Sequence, residues 1–184
     1  DSFVENAYKH GVPMGQDLPK RPGKVKAPTF AVWALKDPDS GNLDRIQIIK
    51  GWYQNGYPQE KIYDVAWSDN RKPDAKTGKL PPVGNTVNIK NASYENSIGE
   101  NELAAVWTDP DFAPSHHAVY YVRVLEIPTP RWSTYDAKAM GIAPPAGVDP
   151  VIQERAWSSP IWYTPDPSLV KKAATYPHLK QVFN

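Results

Sequence analysis

The run Ala118-Val-Tyr-Tyr-Val-Arg-Val-Leu-Glu-Ile127 places ten strand-forming residues in a row, the longest such stretch in the sequence. A strand of that length and apolarity needs partners on both edges, so the run predicts a central position in a sheet and organises the rest of the chain around it. Shorter runs of the same kind flank it. Thr29–Leu35 is an apolar, β-rich stretch closed by Asp37-Pro-Asp-Ser-Gly41, which predicts a strand covered on both faces and then a turn. Leu43–Ile49 predicts a second strand, and Asn55-Gly56 ahead of Ile62–Trp67 predicts a hairpin across residues 43–67, with Tyr63, Val65 and Trp67 on one face. Leu103–Trp107 and the stretch Arg155–Tyr163 add further strands, and Asn85–Lys90 is expected to form a short edge strand.

Between these runs, Ser68–Gly84 is polar, rich in lysine and interrupted by Pro73, Pro81 and Pro82, as expected of a long surface loop. Residues 128–156 hold further prolines and two expected short helices, Thr134–Met140 and Pro150–Ala156, the second with Asp149 as N-cap. Proline, 20 of 184 residues, stands at about twice its usual share, yet 40% hydrophobic and 11% aromatic residues suffice for a packed core. The fold expected is mainly β: an antiparallel β-sandwich of six or seven short strands with long Pro-rich loops and a few short helices. Residues 1–28 are expected to be an extended lead-in, 29–165 the sandwich domain, and 166–184 a tail with a short helix near Ser168–Ala174.

A formal charge of +1, with no basic block, gives no footprint for nucleic acid. No run approaches a membrane span and the first residues do not form a signal sequence. The absence of cysteine removes disulfides, thiolate metal sites and cysteine nucleophiles, and is compatible with the cytoplasm or an oxidising periplasm. Because the sequence begins at Asp, a processed product, a proteolytic fragment or an excised piece of a longer protein is expected.

Few residues carry obvious chemistry. His116 and His117 are adjacent at the start of the long strand, so their side chains should point to opposite faces and cannot share one ion. His10 and His178 lack partners at metal-site spacings. Asp37, Asp39 and Asp44, and the pair Asp109 and Asp111, could supply oxygen ligands but lack the EF-hand pattern, and Asp beside Pro is ordinary turn chemistry. No nucleophile elbow, phosphate-binding loop or dinucleotide fingerprint is present. Asn91-Ala-Ser93 fits a glycosylation acceptor in a secretory setting.

Trp52, Tyr53, Tyr57, Trp132, Trp157 and Trp162 lie beside turns. They either fill the core with their polar tips bonded at its edge or present flat faces to a sugar ring. Arg123 enters the row of Val119, Tyr121 and Leu125, where it either pairs with a carboxylate or aromatic ring inside the sandwich or contacts an anion or a neighbouring domain. Arg131 and Trp132, in a loop stiffened by Pro128 and Pro130, are the other candidates for substrate contact.

Six segments together resemble a known family: Gly11-Val-Pro-Met-Gly-Gln-Asp-Leu18, Leu43-Asp-Arg-Ile-Gln-Ile-Ile-Lys-Gly-Trp52, Trp107-Thr-Asp-Pro-Asp-Phe112, Tyr120-Tyr-Val-Arg-Val124, Pro128-Thr-Pro-Arg-Trp132 and Arg155-Ala-Trp-Ser-Ser-Pro-Ile-Trp-Tyr163. They are similar, over residues 8 to 165, to the C-terminal part of a bacterial family labelled as a domain of unknown function, whose members resemble metal-dependent hydrolases of the PHP (polymerase and histidinol phosphatase) type. In that family the His-x-His and Asp-His metal motifs lie in the N-terminal half, and none of them is in this sequence. Gln16 also stands where the family pattern has a second glycine. The resemblance implies a non-catalytic accessory β-sandwich of a PHP-like hydrolase acting on phosphoester-type substrates. Its partner would be its own N-terminal catalytic domain, which would hold the divalent metal, with no metal or other cofactor in this chain. Met14, Gly15 and Asp17 would lie near the join and line the active-site rim. The alternative is a stand-alone carbohydrate-binding module using exposed Trp and Tyr. The compartment stays open, with a periplasmic or secreted location accommodated by both the resemblance and the lack of cysteine.

Overall fold

A computed structural model describes residues 2–170; the expected helical turns running to Ala174, and His178, lie outside the described residues. The described residues are mainly β, with seven strands in two antiparallel sheets and two short helices. The larger sheet is built from β2 (Leu43–Gln54), β3 (Tyr57–Trp67), β5 (Ala118–Pro130), β6 (Val151–Trp157) and β7 (Ile161–Tyr163). The smaller contains only β1 (Thr29–Leu35) paired with β4 (Glu102–Thr108). As the sequence predicts, β5 is central: β2 runs along one edge and β6 and β7 share the other.

The hairpin of β2 and β3 follows from its turn. Asn55 and Gly56 both take positive φ, 54° and 84°, the two left-handed positions a tight hairpin turn requires. The core forms where the sheets face each other. Phe30 and Val32 of β1 and Leu103 of β4 meet Ile46 and Ile48 of β2 and Ala118 and Tyr120 of β5. The Phe30 and Tyr120 rings lie 4.6 Å apart. Burial in β1 alternates, so it is not covered on both faces as expected: Trp33 and Leu35 on its outer side remain 55% and 70% exposed.

Other expectations fail for identifiable reasons. Asn85–Lys90 forms no strand, because its side chains satisfy the backbone locally. Asn85 Oδ1 accepts from the Val87 N–H and Asn88 Oδ1 from the Asn91 N–H, leaving a single bridge from Asn88 to Ser93. Pro150–Ala156 is strand β6, not a helix. The Asp149 carboxylate does accept the Val151 N–H at 3.0 Å, but the following residues pair with β5 instead of coiling. The predicted helix at Thr134–Met140 is present as α2 (Trp132–Met140), closed by Gly141 at φ 67° with the Ile142 N–H donating to the Ala137 carbonyl. The lead-in is not extended throughout, since residues Ser2–His10 form helix α1.

The long loop after β3 is tied down by charge. Arg71 donates to Asp44 Oδ1 at 2.6 Å and to the carbonyls of Ser68 and Pro81, while Gln153 of β6 donates to Asp44 Oδ2. At the far side, Gly99 takes φ 79°, and a Cβ there would fall 2.7 Å from both Asn42 Cβ and Ile127 Cγ2. We therefore expect Gly99→Ala to lower stability by about 2–4 kcal/mol, through left-handed strain and overpacking together. Urea unfolding checks this: the midpoint should fall with an unchanged slope.

Candidate functional site

Chemistry-bearing side chains gather where β2, β5 and β7 end beside the turn between β4 and β5. On the core face of β2, the row Ile46, Ile48 is continued by Lys50, a charged residue only 3% exposed. A lysine there must be paired, because an unpaired buried ammonium would be strongly disfavoured. Its Nζ lies 2.6 Å from Asp109 Oδ2 and donates to the Asp111 carbonyl at 2.8 Å. It also sits over the Trp52 ring at 5.2 Å. Tyr120 donates its hydroxyl to the same Asp109 oxygen at 2.7 Å, and the other oxygen accepts the Asp111 N–H. Burial, with that carboxylate second, holds the Tyr120 phenol well above its ordinary pKa.

A second layer surrounds the Asp111 side chain, which accepts from Lys61 Nζ and from the Tyr63 hydroxyl. Those two hydrogen bonds, Lys61 first, hold its carboxyl below the usual range. Burial, followed by the bond to Asp111, pushes the Tyr63 phenol up. Two adjoining hollows flank Trp52. One, of about 250 Å³, is lined by Lys50, Trp52, Gln54, Asp111, Phe112 and His116 among others. The other, of about 420 Å³, is lined by Asp17, Gly51, Tyr53, Gln59, His117 and Trp162 among others. His116 and His117 thus line different hollows, although both lie in the turn ahead of β5 and not within the strand as expected. Among the described residues no group of three His, Asp or Glu side chains could hold a metal ion.

The structure does not gather the sequence-predicted residues into one place. Asp17 reaches the larger of these hollows because residues 15–18 run beside β7: Gly15 and Leu18 donate their N–H groups to the carbonyls of Pro160 and Trp162. Gly15 takes φ 88°, which makes glycine the natural residue at that bend. Met14, 61% exposed, instead lines a separate apolar cleft of about 720 Å³ between the sheets, alongside Val32, Val122, Val124 and Trp157.

Arg123 lies on the face of β5 away from the core, and its row is half-buried, not enclosed. It donates to Gln47 Oε1 at 2.8 Å, and Gln47 in turn donates to Asp64. Among the described residues it forms neither the carboxylate pair nor the cation–π contact that the interior reading required. Arg131 is spent on the Asp149 carbonyl at 2.6 Å. Trp132, 71% exposed, stands past the opposite end of β5, roughly 40 Å of strand from Ala118 at about 3.3 Å per residue.

Sequence reasoning missed Lys50 and Gly51. The signal was present in Lys50-Gly51-Trp52: a lysine in register with Ile46 and Ile48, then a glycine inside a strand. Lys50→Met should destabilise by about 3–5 kcal/mol by stranding Asp109, whereas Lys50→Met with Asp109→Asn should recover much of that loss. Thermal unfolding of the single and double variants checks the coupling.

No curated protein and no solved structure matches this chain. A family profile does, over residues 1–165, which extends the resemblance to the N-terminal helix and stops just past β7. The chain therefore belongs to the family described as protein of unknown function (DUF3604).

Proposed function

We propose that this chain is the accessory β-sandwich of a larger PHP-like metal-dependent hydrolase. In this reading it is non-catalytic, packs against the catalytic domain and shapes one wall of the active site. Divalent metal and phosphoester-type substrates belong to that other domain.

The observation that carries the reading is the open cleft between the sheets. A two-stranded sheet cannot cover a five-stranded one. The uncovered part leaves about 720 Å³ lined by Val32, Val122, Val124, Trp157 and other apolar groups. Apolar surface left in water is unfavourable by about 25 cal/mol per Å², and a contiguous patch of it marks an interaction surface. Helix α1 and residues 12–14 border the same opening through Val4, Ala7 and Met14. Further exposed aromatics, Tyr8 and Trp33, line a neighbouring hollow with Val4. A second folded unit seated here would complete the sandwich.

The test is the intact mass of the gene product in source cells, combined with aryl-phosphate hydrolysis in the presence of zinc or manganese. We expect a species several times heavier than 20.6 kDa that hydrolyses the ester in a metal-dependent way, while the 184-residue chain does not. A product of 20.6 kDa alone, or stoichiometric metal binding with turnover by the chain itself, would overturn the reading.

A further inference from the structure

We infer that the groove over Gly51, at the end of the five-stranded sheet, binds a neutral saccharide through Trp162 and Tyr53. The argument starts from the glycine. Gly51 lies inside the 12-residue strand β2, where glycine is disfavoured by about 0.5–1 kcal/mol relative to alanine. Its backbone is not left-handed, so conformation does not call for it. Space does: a Cβ would meet Val119 Cγ1 at 3.0 Å. The glycine makes room for the Val119 side chain on the neighbouring strand and keeps the sheet face low at this point.

Register then shows what borders the gap. Gly51 pairs with Val119, and Val119 with Trp162, so the three positions lie side by side on the sheet face turned away from the core. Tyr53, two residues along, shares that face. The floor is therefore the Gly51 backbone and the neighbouring Val119 side chain, bordered by two large aromatic side chains that are 56% exposed at Tyr53 and 50% at Trp162. The groove they border, about 420 Å³, falls within the range of small-molecule sites.

The chemistry of the rim selects the ligand class. Asp17, Gln59 and His117 bring a carboxylate acceptor, an amide and an imidazole to the groove. Exposed aromatic faces suit the C–H face of a pyranose ring, and a mixed set of donors and acceptors suits its hydroxyls. Among the described residues Asp17 is the one carboxylate lining this groove and no lysine or arginine lines it, so an anionic ligand is disfavoured. Of the six turn-side aromatics that could present a flat face to a sugar, Trp52 is half-buried with Lys50 over its ring, and Trp132 lies past the opposite end of β5, away from this groove. This inference does not rest on the accessory reading, and its test uses the 184-residue chain alone, so either can fail without the other.

Isothermal titration calorimetry of the chain with cellotetraose, xylotetraose, maltotetraose and chitotetraose tests it. We expect 1:1 binding of at least one probe with Kd between about 1 μM and 1 mM. Trp162→Ala and Tyr53→Ala should each weaken that binding by about tenfold or more. Asp17→Asn, which removes only the charge, should weaken it with an unchanged melting curve. Trp132→Ala should leave it intact. No heat from any of the four probes at millimolar concentration would overturn the inference. So would equal weakening by Trp132→Ala and Trp162→Ala.

Discussion

The ion pair between Lys50 and Asp109 is the interaction on which the arrangement of this molecule depends. Both groups are almost fully buried at a spacing of 2.6 Å, and the pair joins the C-terminal part of β2 to the turn after β4. Replacing such a pair by apolar residues is often neutral or stabilising, so its value is not in net stability. It fixes position. Asp109 can satisfy Lys50, the Tyr120 hydroxyl and the Asp111 N–H together only if the β4–β5 turn sits in one place. That turn then carries Asp111 onto Lys61 and Tyr63 and sets Phe112 and His116 beside Trp52. The smaller hollow at this end of the sheet, lined by Lys50, Asp111, Phe112 and His116, takes its walls from this pairing.

The second constraint is the inequality of the two sheets. Five strands face two, and the part of β5 and β6 beyond the reach of β1 has no opposing layer of strands. In a self-sufficient sandwich the two inner faces would cover each other. Here the polar network from Arg123 through Gln47, Asp64 and Arg45 to Asp44 stiffens the opposite face of the larger sheet, on the side away from the cleft. The open apolar side and the polar, internally bonded side therefore have different roles in the proposal: one awaits a neighbour and the other needs none.

Local signals in the sequence translated well. Asn55-Gly56 specified its hairpin turn because few residues tolerate two consecutive positive φ values, and the long run at Ala118 could be satisfied only in the middle of a sheet. Where two local chemistries compete, sequence reading fails. Asp149 caps a turn equally well ahead of a helix or a strand, and the availability of the β5 edge decided between them. Asn85–Lys90 has strand-like spacing, but asparagine side chains capture the backbone first. The site was less legible than the fold. Lys50 finds its partner 59 residues later in the chain, and nothing local announces that pairing. Gly51 was visible, yet its meaning depends on Val119 and Trp162 lying beside it in register.

The central claim is that the cleft between the unequal sheets is covered in the natural gene product. Hydroxyl-radical footprinting read by mass spectrometry addresses it directly by comparing oxidation of Met14, Trp33 and Trp157 in that product with oxidation in the 184-residue chain. All three are more than half exposed in the chain. Strong protection of Met14 and Trp157 in the natural product, with no matching change at Trp132, is the predicted result. Equal oxidation in the two proteins would contradict the account.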